Sequence, residues 1–443
     1  KNHFNKWIIN SWYKCSRENV KMSDFSRRDF IKKSIILSLG ASYIISCEDN
    51  DMLNNTDSTN SNDNTGGNNE NKKIVIIGAG ISGLVAGYDL TIAGYDVTIL
   101  EARDRIGGRV LTIRSPFSNN HYVEGGAARI KPSHDLTIAY SNHFNLTLDP
   151  FYATDGDYVD FSNGNRTIID NNTYLNTSYG STLRKNYLKI RGGSDQLTNA
   201  FANSSELSNK IYLNHAVTSV TQNSDNVIVN TDGNQFQADR VLCSVPLTVL
   251  NKINFTPALS SGKQTAMNGG FRYAPATRIY IQFKNRFWEN DSLNGWGNTD
   301  LPEEIWQPSW DMSGDTGVLM SYLRWSAAED MDTLNESERN NAVLNRWENI
   351  FEGSINNFDT GISKSWALDE WSKGAWASPT TSQNENLNES ISQIEGRIHF
   401  AGEHASNDRG WMQGALFSGL RAATEIKNAN QGLNRCTISF NLI

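Results

Sequence analysis

The stretch that most constrains this chain runs from Lys72 to Ala102, KKIVIIGAGISGLVAGYDLTIAGYDVTILEA. A short apolar run, a glycine turn, a longer apolar run and a second short one read as strand, turn, helix, strand. Gly78, Gly80 and Gly83 form GxGxxG. The first permits a tight turn, the second lets backbone approach a pyrophosphate, and the third lets helix and strand pack closely. Ile81 and Ser82 open the helix, whose free N–H groups and dipole suit phosphate. Glu101 ends the second strand, beside Ala102, about where an acidic residue binds a ribose diol. A glycine turn in an empty βαβ unit would leave Glu101 without a purpose. The expected class is α/β, with a doubly wound Rossmann-like dinucleotide domain.

ARDRIGGRV follows at once, residues 102 to 110. Arg103 and Arg109 are placed to neutralise a second phosphate, with Gly107 and Gly108 allowing close approach. Nicotinamide enzymes do not generally continue in this way. Far along the chain, IHFAGEHASNDRGWMQGALFSGLRAATEI spans residues 398 to 426. RGGSDQLTNAF (191 to 201) and AVTSVTQ with QADRVLCSVPLTVL (216 to 250) lie between. With these motifs in this order, from about Lys73 to Ala429, the sequence resembles the flavin-containing amine oxidases, above all the L-amino-acid oxidases.

The resemblance implies noncovalent FAD, because Ala375 stands where monoamine oxidases carry the cysteine that links it. It places Gly402 and Glu403 at the ribityl or phosphate region, and Trp411 and Met412 at the pyrimidine edge of the flavin. Val217 would hold the adenine by its backbone, and Gly126, Ala127, Ala128 and Arg129 would border the flavin. The implied fold has an FAD-binding domain built from residues 73–148, 190–255 and 380–430. An α+β substrate-binding domain, 149–189 and 256–379, is interleaved with it. TRIYIQF (277 to 283) and GVLMSYL (317 to 323) read as strands of its sheet, and ESERNNAVLNRWENIF (336 to 351) as an amphipathic helix.

On the substrate side, Trp376 and Trp411 fall where the family places two cage rings before the flavin. Ordinary burial would also explain a tryptophan, at Trp376 especially. YVEGGAARIKPSHD (122 to 135) sets Arg129 on a bare turn. In the L-amino-acid oxidases an arginine here grips the substrate carboxylate in a two-pronged fork, helped by a tyrosine hydroxyl at the position of Tyr322. The carbonyl of Gly410 would accept from the amine. A flavin-phosphate contact or a surface position are the other readings of Arg129. The sequence departs from the family twice. Arg278 replaces a lysine that holds a water near flavin N5, and an arginine cannot readily lose its proton. The long helical roof is replaced by the polar segment Asp149 to Lys189, so the roof is expected to be small or absent.

The resemblance implies hydride transfer from Cα of an L-amino acid to the flavin, giving an imino acid that hydrolyses to keto acid and ammonia. Molecular oxygen would take the electrons and yield hydrogen peroxide. Oxidation of monoamines or polyamines is the alternative, and a non-catalytic flavin-binding surface protein is a third. A net charge of −8 with no basic stripe argues against nucleic acid as partner. The four cysteines, Cys15, Cys47, Cys243 and Cys436, lack metal-ligand spacing.

Residues 1–21 read as an extension upstream of Met22. In residues 22–47 a twin-arginine export pattern (Ser26, Arg27, Arg28, Phe30, Lys32) precedes a short apolar run and a lipobox-like IISC. Cys47 would carry lipid, placing the protein in the periplasm or on the cell surface. A signal peptide with a chance cysteine is the plainer reading. Residues 48–71 are an Asn-rich tether too polar to bury a core.

Overall fold

The structure is a computed structural model that describes residues 72–176, 186–301 and 303–430. The expected extension, export signal, lipobox, Cys47 and tether lie outside the described residues, as does the tail beyond Asn430.

Apolar runs buried on both faces form a parallel sheet. Its strands are Ile398–Phe400, Arg240–Cys243, Lys73–Ile77, Asp96–Leu100 and Ile211–Tyr212, in that order. Ile74, Ile76 and Val241 have no exposed surface. The helix Ile81–Ile92 follows the first strand through the glycine turn, and the long helix Met412–Asn430 packs beside it. The strands come from three separated stretches of sequence. This is an α/β FAD-binding fold of Rossmann type.

The second sheet has seven strands. Phe358–Ser365, Ala276–Phe283, Gly317–Arg324, Glu303–Trp306, Leu293–Thr299, Asp157–Ser162 and Asn165–Ile169 lie in that order. All neighbours are antiparallel except Leu293–Thr299 with Asp157–Ser162. The strands expected at 277–283 and 317–323 are each one residue longer, and the helix expected over 336–351 ends at Trp347. Asn335 caps that helix, its side chain accepting from the Glu338 N–H while Glu338 reaches back.

Every residue of Ala276–Phe283 is buried, so the sheet is covered on both sides. Ile279, Ile281 and Phe283 pack with Val343, Leu344 and Trp347 of the capped helix. Ala276, Arg278 and Tyr280 alternate onto the other face, among Trp306, Met320 and Tyr322. Removing a ring such as Trp347, which has no exposed surface, costs about 3–5 kcal/mol.

In the polar segment Asp149 to Lys189, where a small roof or none is expected, the described residues add strands; residues 177–185 lie outside them. Asp157–Ser162 and Asn165–Ile169 form a hairpin on the sheet edge. Asn163 and Gly164 both have positive φ, 53° and 76°, as the two-residue hairpin turn requires. Among the described residues, no helix is long and apolar enough to cross a membrane.

Candidate functional site

One cavity of about 390 Å³ runs from the glycine turn to the face of the second sheet, a size typical of cofactor sites. All but one of the residues singled out from the sequence border it. At the glycine end these are Gly78, Gly80, Ile81, Ser82, Glu101, Ala102, Arg103, Gly108 and Arg109. Val217 borders it further along, as do Gly126, Ala127, Ala128 and Arg129 of the bare turn. Gly402, Glu403, Gly410, Trp411 and Met412 come from the closing motif, and Arg278, Tyr322 and Trp376 from the second sheet and beside it.

Gly83 is the exception: grouped with the cofactor-binding glycines of the motif, it does not border the cavity and has the helix–strand packing place expected of the third glycine. A Cβ there would come 2.1 Å from the Gly78 carbonyl and 2.8 Å from Ser244 Oγ. It faces the strand, so its contribution is packing. At Gly80 a Cβ would meet nothing within 4 Å, so that side of the turn is open to the cavity. The helix Ile81–Ile92 has no side-chain cap and no acidic residue in its first turn. Its N-terminal N–H groups are available to an anion. Glu101 Oε2 accepts from the Ala79 N–H at 2.8 Å and Oε1 from the Arg103 N–H at 3.0 Å. These residues fit FAD: a bare turn for the pyrophosphate and an acid at the end of the second strand.

The cations differ from expectation. Arg103 contacts Asp369 at 2.5 Å and lies 3.7 Å from Glu101. Arg109 donates to Glu403 at 2.7 Å and to the Ala375 carbonyl at 3.0 Å. Each guanidinium already has a carboxylate, so phosphate charge falls mainly to the helix terminus and turn. Lys364 and Arg103 together hold Asp369 down at about 2, although burial alone would raise it. Glu403 ties the closing motif to its neighbours by accepting from the Ala377 and Gly410 N–H groups at 3.0 and 2.8 Å. Burial keeps the adjacent His404 neutral, down at about 4.

At the other end, Trp376 lies in the short strand Trp376–Ala377. Its ring packs on the backbone of Gly410, 3.3 Å from where a Cβ would stand. Trp411 carries Lys131 over its ring at 4.3 Å, with His134 edge-on at 4.9 Å. Burial pushes His134 down to about 4, so it is neutral.

Arg129 lies over Trp306 at 4.8 Å, and one terminal nitrogen stands 3.3 Å from Glu304. Burial works against its charge, but Glu304, then Tyr152, which also hydrogen-bonds it, and Tyr322 together raise its pKa. Glu304 accepts also from Arg324 at 2.6 Å and from Trp306 Nε1 at 2.9 Å. Arg278 donates to the carbonyls of Glu124 and Gly126, both at 2.6 Å, and lies over Tyr322 at 4.3 Å. It therefore pins the backbone that leads to Arg129. Tyr280 donates to the Glu124 carbonyl as well, and Trp366 to that of Gly125 at 2.7 Å.

Glu304, Trp306, Arg324 and Trp366 were not singled out from the sequence. Period-two alternation from Tyr322 could have found Arg324. Glu304 needs the register, which sets it opposite Tyr322. Among the described residues no group of His, Cys, Asp and Glu could hold a metal ion.

Comparison with known proteins agrees with this geometry. The family described as flavin containing amine oxidoreductase matches residues 81–177 and 172–427. A pyridine nucleotide-disulphide oxidoreductase family matches residues 10–118, across the glycine turn. An L-amino-acid oxidase of Siganus canaliculatus is 28% identical over 470 residues, 83% of this chain and 88% of that protein. One of Daboia russelii is 26% identical over 456 residues, covering 81% and 90%.

Among solved structures, wild-type putrescine oxidase bound to putrescine aligns with TM-score 0.70 at 20% identity, over 81% of this chain and 99% of that one. Cyclohexylamine oxidase from Brevibacterium oxydans IH-35A gives 0.70 at 18%, with the same coverage. At such identities the structural likeness speaks for the fold. The family match runs from the helix after the glycine turn to the closing helix, and on it the chain belongs to the flavin-containing amine oxidoreductases, as an FAD-dependent amine oxidase.

Proposed function

We propose that this protein oxidises L-amino acids to keto acids, ammonia and hydrogen peroxide, with noncovalent FAD and oxygen as electron acceptor. The observation that carries the reading is a half-buried guanidinium, Arg129, bordering the substrate end of the cavity together with Tyr322. Its ionic contact with Glu304 is long and engages one terminal nitrogen. A guanidinium in such a place suits a carboxylate that arrives with the substrate.

Held by the glycine turn, Glu101 and the closing motif, FAD would supply the oxidising chemistry, as acceptor of a hydride and relay of its electrons to oxygen. The chain does the rest. Arg129 and the Tyr322 hydroxyl hold the carboxylate, and Trp376 and Trp411 flank the amine. The Gly410 carbonyl accepts from that amine. Arg278 braces the turn that aims Arg129 and adds positive potential near the flavin.

A second reading has one observation behind it. Glu304 already touches Arg129, and a substrate with no carboxylate, a plain mono- or polyamine, would leave that pair intact. Replacing Arg129 by Met separates the two. The amino-acid reading expects kcat/KM for L-amino acids to fall a hundredfold or more, with flavin content and amine activity unchanged. Unchanged kinetics with amino acids would assign Arg129 to the fold or the cofactor. Acid precipitation tests the attachment of FAD: all yellow colour should stay in the supernatant, and coloured pellet would mean a covalent link.

We place the protein outside the cytoplasm, exported by the twin-arginine route and lipid-anchored at Cys47, from the residue pattern alone. Metabolic labelling with a fatty acid should mark the native protein and fail in a Cys47→Ala variant. Labelling that survives the substitution would remove the anchor.

A further inference from the structure

The sheet end of the cavity holds more positive charge than one substrate carboxylate needs. Tyr322 and Arg324, two residues apart on one strand, share the face that looks into the cavity. Register sets Arg278 on one side of Tyr322 and Glu304 on the other, and Arg129 reaches the same place from the bare turn. All three guanidiniums border the cavity. Glu304 is in ionic contact with two of them, 2.6 Å from Arg324 and 3.3 Å from Arg129.

The other charges nearby are accounted for. Arg278 is held by two carbonyls, which are uncharged partners. Glu124 accepts from the Ser194 N–H and the Thr112 hydroxyl, and burial pushes it up to about 7, so at neutral pH it offers at most a partial charge. Lys364, beside Arg278 across the sheet, is matched by Asp369 at 2.6 Å. Among the described residues, Arg129 and Arg324 therefore share Glu304 as ionic partner, and Arg278 is bonded to carbonyls alone. Buried charge without a partner is costly, and such a site is complementary to a ligand that brings two negative charges. The α-carboxylate, on the reading proposed above, goes to Arg129. Arg324, held by Glu304 through Nη1 at 2.6 Å and with a quarter of its side chain exposed (26%), is the guanidinium placed to meet the substrate's far end as well. Its position over the Tyr322 ring, at 5.2 Å, keeps it next to the carboxylate site.

We infer that Arg324 selects a second carboxylate on the substrate side chain, so that the preferred substrates are dicarboxylic L-amino acids. This rests on the amino-acid reading of the same site.

The test compares acids with their amides, which match in shape and differ in charge. The holoenzyme is mixed with L-glutamate and L-glutamine, and with L-aspartate and L-asparagine. The acids should reduce the flavin at least tenfold more efficiently. Arg324→Gln should bring the ratio near one, and Arg324→Lys should keep most of it. Equal efficiency for acid and amide in the wild type, or a ratio that Arg324→Gln leaves alone, overturns the inference.

Calorimetry on the oxidised flavoprotein gives a readout without turnover. Glutarate should bind at least tenfold tighter than butyrate, and Arg324→Gln should erase the difference. Equal binding of the two also overturns the inference. Failure of the amino-acid reading looks different: no L-amino acid, neutral or acidic, reduces the flavin. The glutarate comparison still decides Arg324 in that case.

Discussion

The two ends of the cavity are built from different materials. At the glycine end the contacts offered are backbone: a turn without side chains and the uncapped start of the helix Ile81–Ile92. The cations there are already matched, Arg103 by Asp369 and Arg109 by Glu403. At the sheet end the contacts are side chains, Arg129, Arg278, Tyr322 and Arg324, brought together by strand register. Charge there exceeds its internal partners. A backbone site holds one invariant group and tolerates little added volume. A side-chain site can change its ligand by single substitutions while the cofactor stays bound. The difference separates what makes the protein a flavoprotein from what chooses its substrate.

The sharpest way to break this comparison is at Gly83. A methyl there overlaps the Gly78 carbonyl. Gly83→Ala should exceed the roughly 1–3 kcal/mol that overpacking costs and yield protein without flavin. Retention of full flavin colour would mean that the turn can give way.

At the sheet end, the Arg129 substitution described above should cost roughly 2–5 kcal/mol of substrate binding, as loss of a buried charged partner does, and spare the flavin. Arg278→Met should have a smaller, structural effect. It leaves the Gly126 carbonyl short of a donor, at about 1–3 kcal/mol, while Tyr280 still donates to that of Glu124. Thermal unfolding should show a lower midpoint, partly restored by Arg278→Lys, and no change in midpoint would remove its bracing role.

The smallest effect is in pH. His404 is held at about 4 when folded, against 6.5 when free. The folded state prefers it neutral, so its contribution is complete above pH 6.5 and lost as pH falls towards 4. That is worth about 3 kcal/mol at most. Glu124, pushed up to about 7 by burial, acts in the opposite sense and stabilises on acidification. Unfolding midpoints from pH 7 to 4.5 should therefore fall less steeply in His404→Gln than in the wild type. Parallel curves would discount His404.

The glycine end was legible in the sequence because its geometry is local. Gly78, Gly80 and Glu101 are set by spacing within one βαβ unit, and they border the cavity. Gly83 has the spacing but faces the strand. The sheet end was legible only where a motif marked it, as at Arg129, Trp376 and Trp411. Glu304 is eighteen residues from Tyr322 in sequence, and only the pairing of Glu303–Trp306 with Gly317–Arg324 sets them side by side. Arg103 and Arg109 show the complementary failure. Their positions were legible, but their partners Asp369 and Glu403 lie hundreds of residues away. The hairpin in the polar segment after Asp149 carried its signal in Asn163-Gly164, between the strands Asp157–Ser162 and Asn165–Ile169.

The central claim is that the sheet end is built for a carboxylate that arrives with the amine. The most direct measurement mixes the flavin-loaded protein, without oxygen, with L-leucine and L-glutamate. Isopentylamine and 4-aminobutyrate, the same side chains without the α-carboxylate, are mixed separately, and the yellow absorbance is followed. The account predicts bleaching by the amino acids and little or none by the amines. Bleaching by the amines as fast as by the amino acids would contradict it, and would leave Arg129 to Glu304.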